Sequence, residues 1–389
     1  MREFKFQTQR LDDVTIRHPV RLFQHSSLFM QKIPLQDMTQ LTAHIKQWGL
    51  DLGFQQVGIS GVDLGEHPQH LQNWLNKGFH GDLNYMAAHG AKRGKPDLLE
   101  AYAQRVISVR MDYLVDKPKP RNIPHYPQQG IIARYALGRD YHKTLRKRLQ
   151  KFGEKIMSEV GDMNYRPFVD SAPILERAVA EQAGLGWIGK NTMLMNRQAG
   201  SFFFLGELLT DLPLIVDTPI SAHCGSCQAC IDICPTQAIV APYQLDARLC
   251  IAYLTIEYTG SIPEQLRAKI GNRIFGCDDC QLICPWNRYA QLSHEDDFKT
   301  RHGLDNASLL DLFSWTEKTY LAKTEGSPIR RIGYEGFLRN VAIGLGNSPY
   351  TENIVAALQT RLHSSTDLVQ EHILWALKQQ ENHITENKE

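Results

Sequence analysis

The stretch CGSCQACIDICPTQAI, from Cys224 to Ile239, contains four cysteines within eleven residues, and the last of them is followed directly by Pro235. The chain has eight cysteines in its 389 residues, and the other four lie between Cys250 and Cys284. All the thiols of the protein therefore fall in one short segment. Such crowding is typical of a metal or cluster site.

The first group has the spacing C-x2-C-x2-C-x3-C-P, with which bacterial ferredoxins hold iron–sulfur clusters. In two-cluster proteins the fourth cysteine of this run binds the other cluster, so a partner group is required. The segment GCDDCQLICPWN supplies three partner cysteines, and Cys250 lies upstream of it. Crossover pairing predicts two [4Fe-4S] clusters, one held by Cys224, Cys227, Cys230 and Cys284, and the other by Cys234, Cys250, Cys277 and Cys280.

A structural zinc site is the alternative, because two C-x2-C knuckles can supply one tetrahedral site. It explains neither the third close cysteine nor the two Cys-Pro endings. With every thiol used as a cluster ligand, no cysteine is left as a catalytic nucleophile. The catalytic groups must therefore be sought elsewhere in the chain.

Composition sets broad limits on the protein class. The chain is 42% hydrophobic and 22% charged, which is ordinary for a globular protein, and its formal charge of +1 excludes neither nucleic acid nor small substrates. The N-terminal MREFKFQTQRLDDV lacks the apolar core of a secretion signal, and no apolar run is long enough to span a bilayer. We therefore expect a cytoplasmic protein without membrane association, in which clustered cysteines bind metal rather than form disulfides.

The pattern of apolar residues predicts an α+β protein in several parts. Residues 1–37 are expected to be an irregular extension. In residues 38–215 strand-like segments alternate with helical ones such as YHKTLRKRLQKFGEKIMSEV. The strand-like segments are FQQVGIS, RVISVRMDYLV, GIIARYAL and GSFFFLGELL. This alternation is compatible with an α/β domain and with an α+β domain. Residues 216–290 form the predicted ferredoxin-like module. Residues 300–389 read as short paired helices, which suggests a HEAT-like tail.

Three further motifs each allow a functional and a purely structural interpretation. GLGWIG, from Gly184 to Gly189, fits a dinucleotide-binding string but follows a helix and precedes a strand, which favours a glycine-rich turn. DYH, from Asp140 to His142, begins like a corrinoid-ligating D-x-H motif, yet Leu145 stands where that motif requires glycine, so a helix start is favoured. Basic residues at 143–151 and in the tail (Arg330, Arg331 and Arg339) leave an RNA-binding surface open.

Asp170 stands at the end of the strand-like RPFVD and before Ser-Ala-Pro. A carboxylic acid delivered by a strand into a loop-built, desolvated site has a raised pKa and can donate a proton. The alternative is an N-cap for a helix that begins at Pro173.

From about residue 38 the sequence resembles the epoxyqueuosine reductases. The resemblance rests on QWGLDLGFQQVGIS, ARYALGRDYH, VDSAPILERAVAEQAGLGWIGKN, GSFFFLGELLTDLPL, both cysteine groups and GSPIRRIGYEGFLRN. It implies reduction of epoxyqueuosine to queuosine at the wobble position of tRNA, the last step of queuosine biosynthesis. It also implies cobalamin in the N-terminal catalytic domain, residues 38–215, bound base-off without a lower histidine ligand, beside the two clusters. The reductive dehalogenases combine the same cofactors and are similar in this respect.

The resemblance also implies site residues. Asp170 becomes the proton donor. Cobalamin contacts are expected from Arg93, Arg134, Tyr135, Asp140, His142, Asp170, Ser171, Lys190 and Asn191. A tRNA anticodon stem-loop would be held by the tail and by the insert between the cysteines, through Tyr258, Thr259, Arg330, Arg331 and Arg339. An external electron donor such as flavodoxin or ferredoxin and a monomeric state are also expected.

The sequence is also compatible with two other functions. A dedicated electron carrier would need only the cluster module, and failure to bind cobalamin would favour it. A corrinoid iron–sulfur reductase of a small epoxide or organohalide would show activity on small molecules and none on tRNA.

Overall fold

In the computed structural model, residues 35–117 and 127–386 are described. The predicted irregular extension lies outside these ranges except for its last three residues, which are helical. The helices are α1 (Leu35–Asp51), α2 (His67–Asn76), α3 (Asn84–Ala87), α4 (Pro96–Leu99), α5 (Tyr141–Val160), α6 (Glu176–Gln182), α7 (Ala229–Asp232), α8 (Ile251–Ile256), α9 (Glu264–Ile270), α10 (Asp279–Leu282), α11 (Leu309–Ser314), α12 (Glu317–Lys323), α13 (Gly333–Gly346), α14 (Glu352–Leu362) and α15 (Asp367–Glu386).

The strands are shorter, and only some of them join the main sheet. They are β1 (Gln56–Ser60), β2 (Arg105–Asp112), β3 (Ile131–Ile132), β4 (Tyr165–Phe168), β5 (Trp187–Ile188), β6 (Leu194–Met195), β7 (Phe203–Thr210), β8 (Ile239–Ala241), β9 (Gln244–Leu245) and β10 (Arg273–Phe275). None of the helices in the described ranges combines the length and apolar character that a bilayer span requires.

A four-stranded sheet of order β1-β2-β7-β4 organises the first half of the chain, and all its strand pairs are antiparallel. Helices α1 and α5 cover one face and α6 the other, which explains why β2 and β7 are buried at nearly every position. The mixed content of helix and sheet was predicted correctly. Because the pairing is antiparallel, this region is an α+β arrangement, and the narrower α/β description is wrong.

Helix α5 has the bounds that its sequence predicted. Asp140 is its N-cap, since the side chain accepts a hydrogen bond from the backbone N–H of His142. Residues at helical spacing, among them Leu145, Leu149 and Phe152, are buried against the sheet. Four of the five basic side chains between residues 143 and 151 are exposed on the opposite side of the helix. The helix thus fixes His142 at its first turn, beside the end of β4.

The insert between the two cysteine groups packs with the helical tail. Residues of α8, α9 and β10 share one hydrophobic core with α11, α13, α14 and α15. The predicted strand GIIARYAL is reduced to β3, which pairs in parallel with β10 and not with the main sheet. It ends there because the chain turns into a 3-10 helix over Arg134–Ala136. The predicted limits of the parts stay a prediction.

Candidate active site and cluster-binding sites

Asp170 lies immediately beyond β4 and is held by three groups. Its Oδ2 accepts a hydrogen bond from the Tyr141 hydroxyl at 2.9 Å and lies 3.1 Å from Nε2 of His142. Its backbone N–H donates to the carboxylate of Glu176. Its φ of 52° is in the left-handed region, which residues other than glycine seldom adopt. Asp170 is not an N-cap, because α6 begins only at Glu176; the N-cap alternative is therefore wrong.

His142 bridges two carboxylates. Its Nδ1 lies 2.6 Å from Asp140 Oδ1, while Nε2 faces Asp170. Burial alone would lower its pKa, but the hydrogen bonds and charges of Asp140 and Asp170 raise it to about 9. His142 therefore carries a proton at neutral pH, and both of its ring nitrogens are already engaged.

The charge of Asp170 differs from the sequence hypothesis. Burial raises the pKa of its carboxyl, but hydrogen bonds from His142 and Tyr141 and the positive charges of His142 and Arg331 outweigh burial and lower it. The expected rise in the pKa of Asp170 is therefore wrong, while its role as proton donor stays a prediction. The available proton resides on His142, one hydrogen bond away from the Asp170 carboxylate.

Residues of the tail, the insert and the sheet domain lie around Asp170. Arg331 forms an ion pair with Glu257, with 3.2 Å between Nη1 and Oε1, and its charge acts on Asp170 and Tyr135. Tyr85 is exposed, and its backbone carbonyl accepts a hydrogen bond from Arg93. Asp170 therefore lies where the sheet domain, the insert and the tail meet, and Asp170 and Ser171 are both exposed there.

Three of the predicted cobalamin contacts are bound to the cysteine loops. Arg134 donates to Asp278, between Cys277 and Cys280, through its backbone N–H and its guanidinium. Lys190 donates to the carbonyls of Gly225 and Cys227. Asn191 donates to the carbonyl of Cys280. These side chains link the sheet domain to the cluster loops, and their contact with a corrinoid stays a prediction.

Four of the cysteines line one cavity and the other four lie near one another, while their division between two clusters stays a prediction. A cavity of about 240 Å³ is lined by four of them, Cys224, Cys227, Cys230 and Cys284, together with Lys190 and Trp286. Burial, followed by the charges of Cys284, Cys224 and Cys227, raises the pKa of the Cys230 thiol to about 11. Burial and the nearby Cys250, Cys230 and Cys234 likewise raise the pKa of Cys280. A bound metal centre would hold such crowded thiols as thiolates.

The predicted RNA contacts divide into exposed and buried residues. Thr259, Arg330 and Arg331 are exposed, and Tyr258 is half-buried. Arg339 is only 1% exposed, and its guanidinium donates to the carbonyls of Leu254, Tyr258 and Gly260. The prediction that Arg339 contacts RNA directly is therefore corrected: its side chain holds the Tyr258–Gly260 loop from inside.

Four residues of the site were not singled out from the sequence: Tyr141, Glu176, Glu207 and Glu257. Glu207 had a signal that was missed, because it is the one charged residue in the apolar run FFFLGELL, and it is fully buried on β7. Glu176 stands among the apolar residues of ILERAVA, a weaker signal of the same kind. Nothing in the sequence around Tyr141 and Glu257 distinguishes them from ordinary surface residues.

Comparison with known proteins gives two family matches. Residues 223–287 match the 4Fe-4S double cluster binding domain, and residues 93–171 match the domain described as "Epoxyqueuosine reductase QueG, DUF1730". The first match excludes the structural-zinc alternative. The second covers the segment from Arg93 to Ser171, which contains His142 and Asp170.

Individual relatives point to the same family as these two matches. An epoxyqueuosine reductase of Pseudomonas aeruginosa is 59% identical over 343 residues, covering 88% of this chain and 95% of the relative. An epoxyqueuosine reductase structure from Bacillus subtilis, with its catalytic aspartate loop swung out of the active site, has a TM-score of 0.78 at 27% identity, covering 88% of this chain and 91% of that one. Another, crystallised with an epoxyqueuosine-modified tRNA-Tyr stem loop, has a TM-score of 0.76 at 25% identity, covering 88% and 100%. The fold, the cysteine loops and these similarities together show that the chain belongs to the epoxyqueuosine reductase family.

Proposed function

We propose that the chain reduces the epoxide of epoxyqueuosine, at the wobble position of a tRNA anticodon, to the alkene of queuosine. The reaction consumes two electrons and two protons, removes the epoxide oxygen as water and leaves a carbon–carbon double bond. The observation that carries the proposal is the His142–Asp170 pair, a proton source exposed between the sheet domain, the insert and the tail. A relative at 59% identity carries this activity in its name.

The residues fit the cofactors that the family implies. Eight thiols in two crowded groups suit two [4Fe-4S] clusters, which accept and release single electrons. Cobalamin, when bound, supplies a strongly reducing cobalt centre that can act on the epoxide carbon. Both ring nitrogens of His142 are occupied by carboxylates, which suits a corrinoid without a lower histidine ligand. We propose that Arg93, Tyr135 and Ser171 hold it together with the three residues that bind the cysteine loops, Arg134, Lys190 and Asn191.

The protein's own residues manage the proton. Opening the epoxide develops negative charge on its oxygen, and a positioned acid stabilises that charge by protonation. In the proposed mechanism Asp170 is the residue facing the oxygen, and the proton moves from Nε2 of His142 to Oδ2 of Asp170 and then to the leaving oxygen. Tyr141 holds Oδ2 in place during this transfer. Asp140 keeps Nδ1 of His142 bonded and so fixes the ring orientation.

Partners follow from the same proposal. The exposed Arg330 and Arg331, with Tyr258 and Thr259 on the adjacent loop, form a surface for the stem-loop phosphates and bases. A relative of the same fold was crystallised with such a stem loop. An external one-electron donor, a monomeric state and a cytoplasmic location, where tRNA is available, belong to the proposal as well.

The alternative of a small-molecule reductase is not favoured. A small epoxide or organohalide needs no basic surface beside the site, whereas Arg330 and Arg331 lie exposed in the tail. An electron carrier needs no proton source such as the His142–Asp170 pair. Both alternatives also conflict with the activity named in the close relatives.

Deletion of the gene tests the proposal in cells. Mass spectrometry of tRNA nucleosides should show epoxyqueuosine in the deletion strain and queuosine again when a plasmid supplies the gene. A plasmid carrying Asp170→Asn is the matched control and should leave epoxyqueuosine in place. Restoration of queuosine by the control plasmid would remove Asp170 from the donor role.

A further inference from the structure

The backbone turn that carries Asp170 is anchored by Glu176. The sequence from Val169 to Ser171 forms a tight turn, since the backbone N–H of Ser171 donates to the carbonyl of Val169 at 2.6 Å. Asp170, at its centre, takes the left-handed φ of 52°. A conformation that disfavours a side chain persists only when surrounding contacts impose it. The contact that reaches the Asp170 backbone is the carboxylate of Glu176, at the start of α6.

Glu176 is itself flanked by a second carboxyl. Glu207 lies on β7, opposite Phe168 of β4 and Ser108 of β2, and is fully buried. Among the described residues no N–H or hydroxyl group donates to either of its carboxyl oxygens. Its nearest ionisable neighbour is Glu176, followed by Asp170, and adjacent carboxyls in a desolvated site disfavour ionisation of both together.

Both carboxyls of this pair have raised pKa values. Burial and the adjacent Glu176 carboxylate raise the pKa of Glu207 well above its usual range. Burial and the charge of Asp170 raise the pKa of Glu176 as well, to about 7, while the hydrogen bond from Glu207 opposes that rise. The other ionisable groups around Glu176 are Tyr141, His142 and Arg177.

We propose that Glu176 is a positioning residue, which latches the Asp170 turn through the backbone N–H and is supported by the neighbouring Glu207 of the sheet. The latch connects a central strand to the loop, so that Oδ2 of Asp170 stays against Tyr141 and His142. Without the latch the turn relaxes out of the left-handed conformation and the carboxylate leaves its two partners. The proposal rests on the proposed function only for its kinetic consequence.

Amide hydrogen exchange of the protein without substrate tests the latch independently of turnover. In Glu176→Ala the amide of Asp170 loses its acceptor and should exchange at least about tenfold faster. Glu176→Gln keeps an acceptor oxygen of the same reach and should keep most of the protection. Glu181→Ala is the matched control, because Glu181 lies on the same helix and accepts from the backbone of Ile188 instead. It should leave the Asp170 amide unchanged.

The partner role of Glu207 is tested in the same way. Glu207→Gln keeps a polar side chain of the same size and should retain the protection of Asp170. Glu207→Leu removes the polar group and should lose part of it. Equal protection in both variants would overturn the role of Glu207.

Kinetic measurements on the reconstituted enzyme are a second test of the latch. Glu176→Ala should lower kcat by about 10- to 100-fold with little change in the KM for tRNA, because the donor is misplaced rather than lost. Glu176→Gln should recover most of kcat. If Glu176→Ala does not fold, Glu176→Asp, whose carboxylate is too short to reach the Asp170 amide, takes its place. Unchanged exchange at Asp170 in the alanine or aspartate variant would overturn the latch, whatever the substrate of the enzyme proves to be.

Discussion

Asp170 shows how far a single residue can be interpreted from sequence. Its position after a strand indicated a site, and its family motif indicated a donor. Its charge could not be foreseen, because it depends on His142 and Tyr141, which lie 28 and 29 positions away in sequence and meet it only in the fold. In isolation the carboxyl would gain a raised pKa from burial, yet these partners lower it.

Replacement of Asp170 tests its role directly. Asp170→Asn keeps the shape of the side chain but cannot relay a proton, so kcat should fall by about 10²- to 10⁴-fold. Iron content and tRNA affinity should stay unchanged, because no cysteine or exposed basic residue is altered. Iron analysis and a tRNA-binding assay are therefore run beside the kinetic assay. Turnover near that of the parent protein would contradict the role.

The pH dependence of kcat follows from His142. Its pKa is raised to about 9, so the proton is present below that pH and is lost as the pH rises through it. The value of kcat should therefore hold at neutral pH and decline near pH 9. In Asp140→Asn a hydrogen bond that raises this pKa is weakened, so the decline should move to lower pH. A decline at the same pH in both proteins would show that another group controls it.

At the scale of elements, the long periodic helices were predicted well and the short strands were not. Helix α5 has buried residues at regular spacing and a capping aspartate, so local signals agree with its packing. Strand β3 is two residues long and is followed by a 3-10 helix, whose first residue, Arg134, binds Asp278 across the chain. Such a tertiary contact leaves no trace in local propensity.

The loop between α8 and α9 depends on one buried arginine of α13. Arg339→Met removes the donors to three carbonyls, at Leu254, Tyr258 and Gly260, and leaves those carbonyls buried without partners. The free energy of unfolding should fall by about 2–4 kcal/mol. Chemical denaturation of Arg330→Met, which alters an exposed residue of the same region, is the control. Equal stability of the two variants would contradict the structural role of Arg339.

At the scale of the molecule, the two cysteine groups contact both the sheet domain and the insert that packs with the tail. The cysteine run predicted the clusters, and spacing alone indicated that Cys250 had moved upstream. The sequence could not show that the insert behind Cys250 packs into the tail, since that packing joins α13 to β10 across nearly sixty residues and to α8 across nearly eighty. Cys250 itself packs against the core that the insert and the tail share.

Removal of single cysteines tests the crossover pairing. Cys250→Ala should lose the cluster that also uses Cys234, Cys277 and Cys280, and should keep the other. Cys227→Ala should show the reverse. Iron analysis and the electron paramagnetic resonance spectrum of the reduced protein distinguish the two clusters. Loss of the same cluster in both variants would contradict the pairing.

The most direct measurement uses the purified protein with both clusters loaded and cobalamin added, a chemical reductant, and tRNA that carries epoxyqueuosine. Nucleosides released from the tRNA are analysed by mass spectrometry. Queuosine, lighter by one oxygen atom, should appear with the parent protein and remain nearly absent with Asp170→Asn. Epoxyqueuosine that persists unchanged with the fully loaded parent protein would contradict the proposed function.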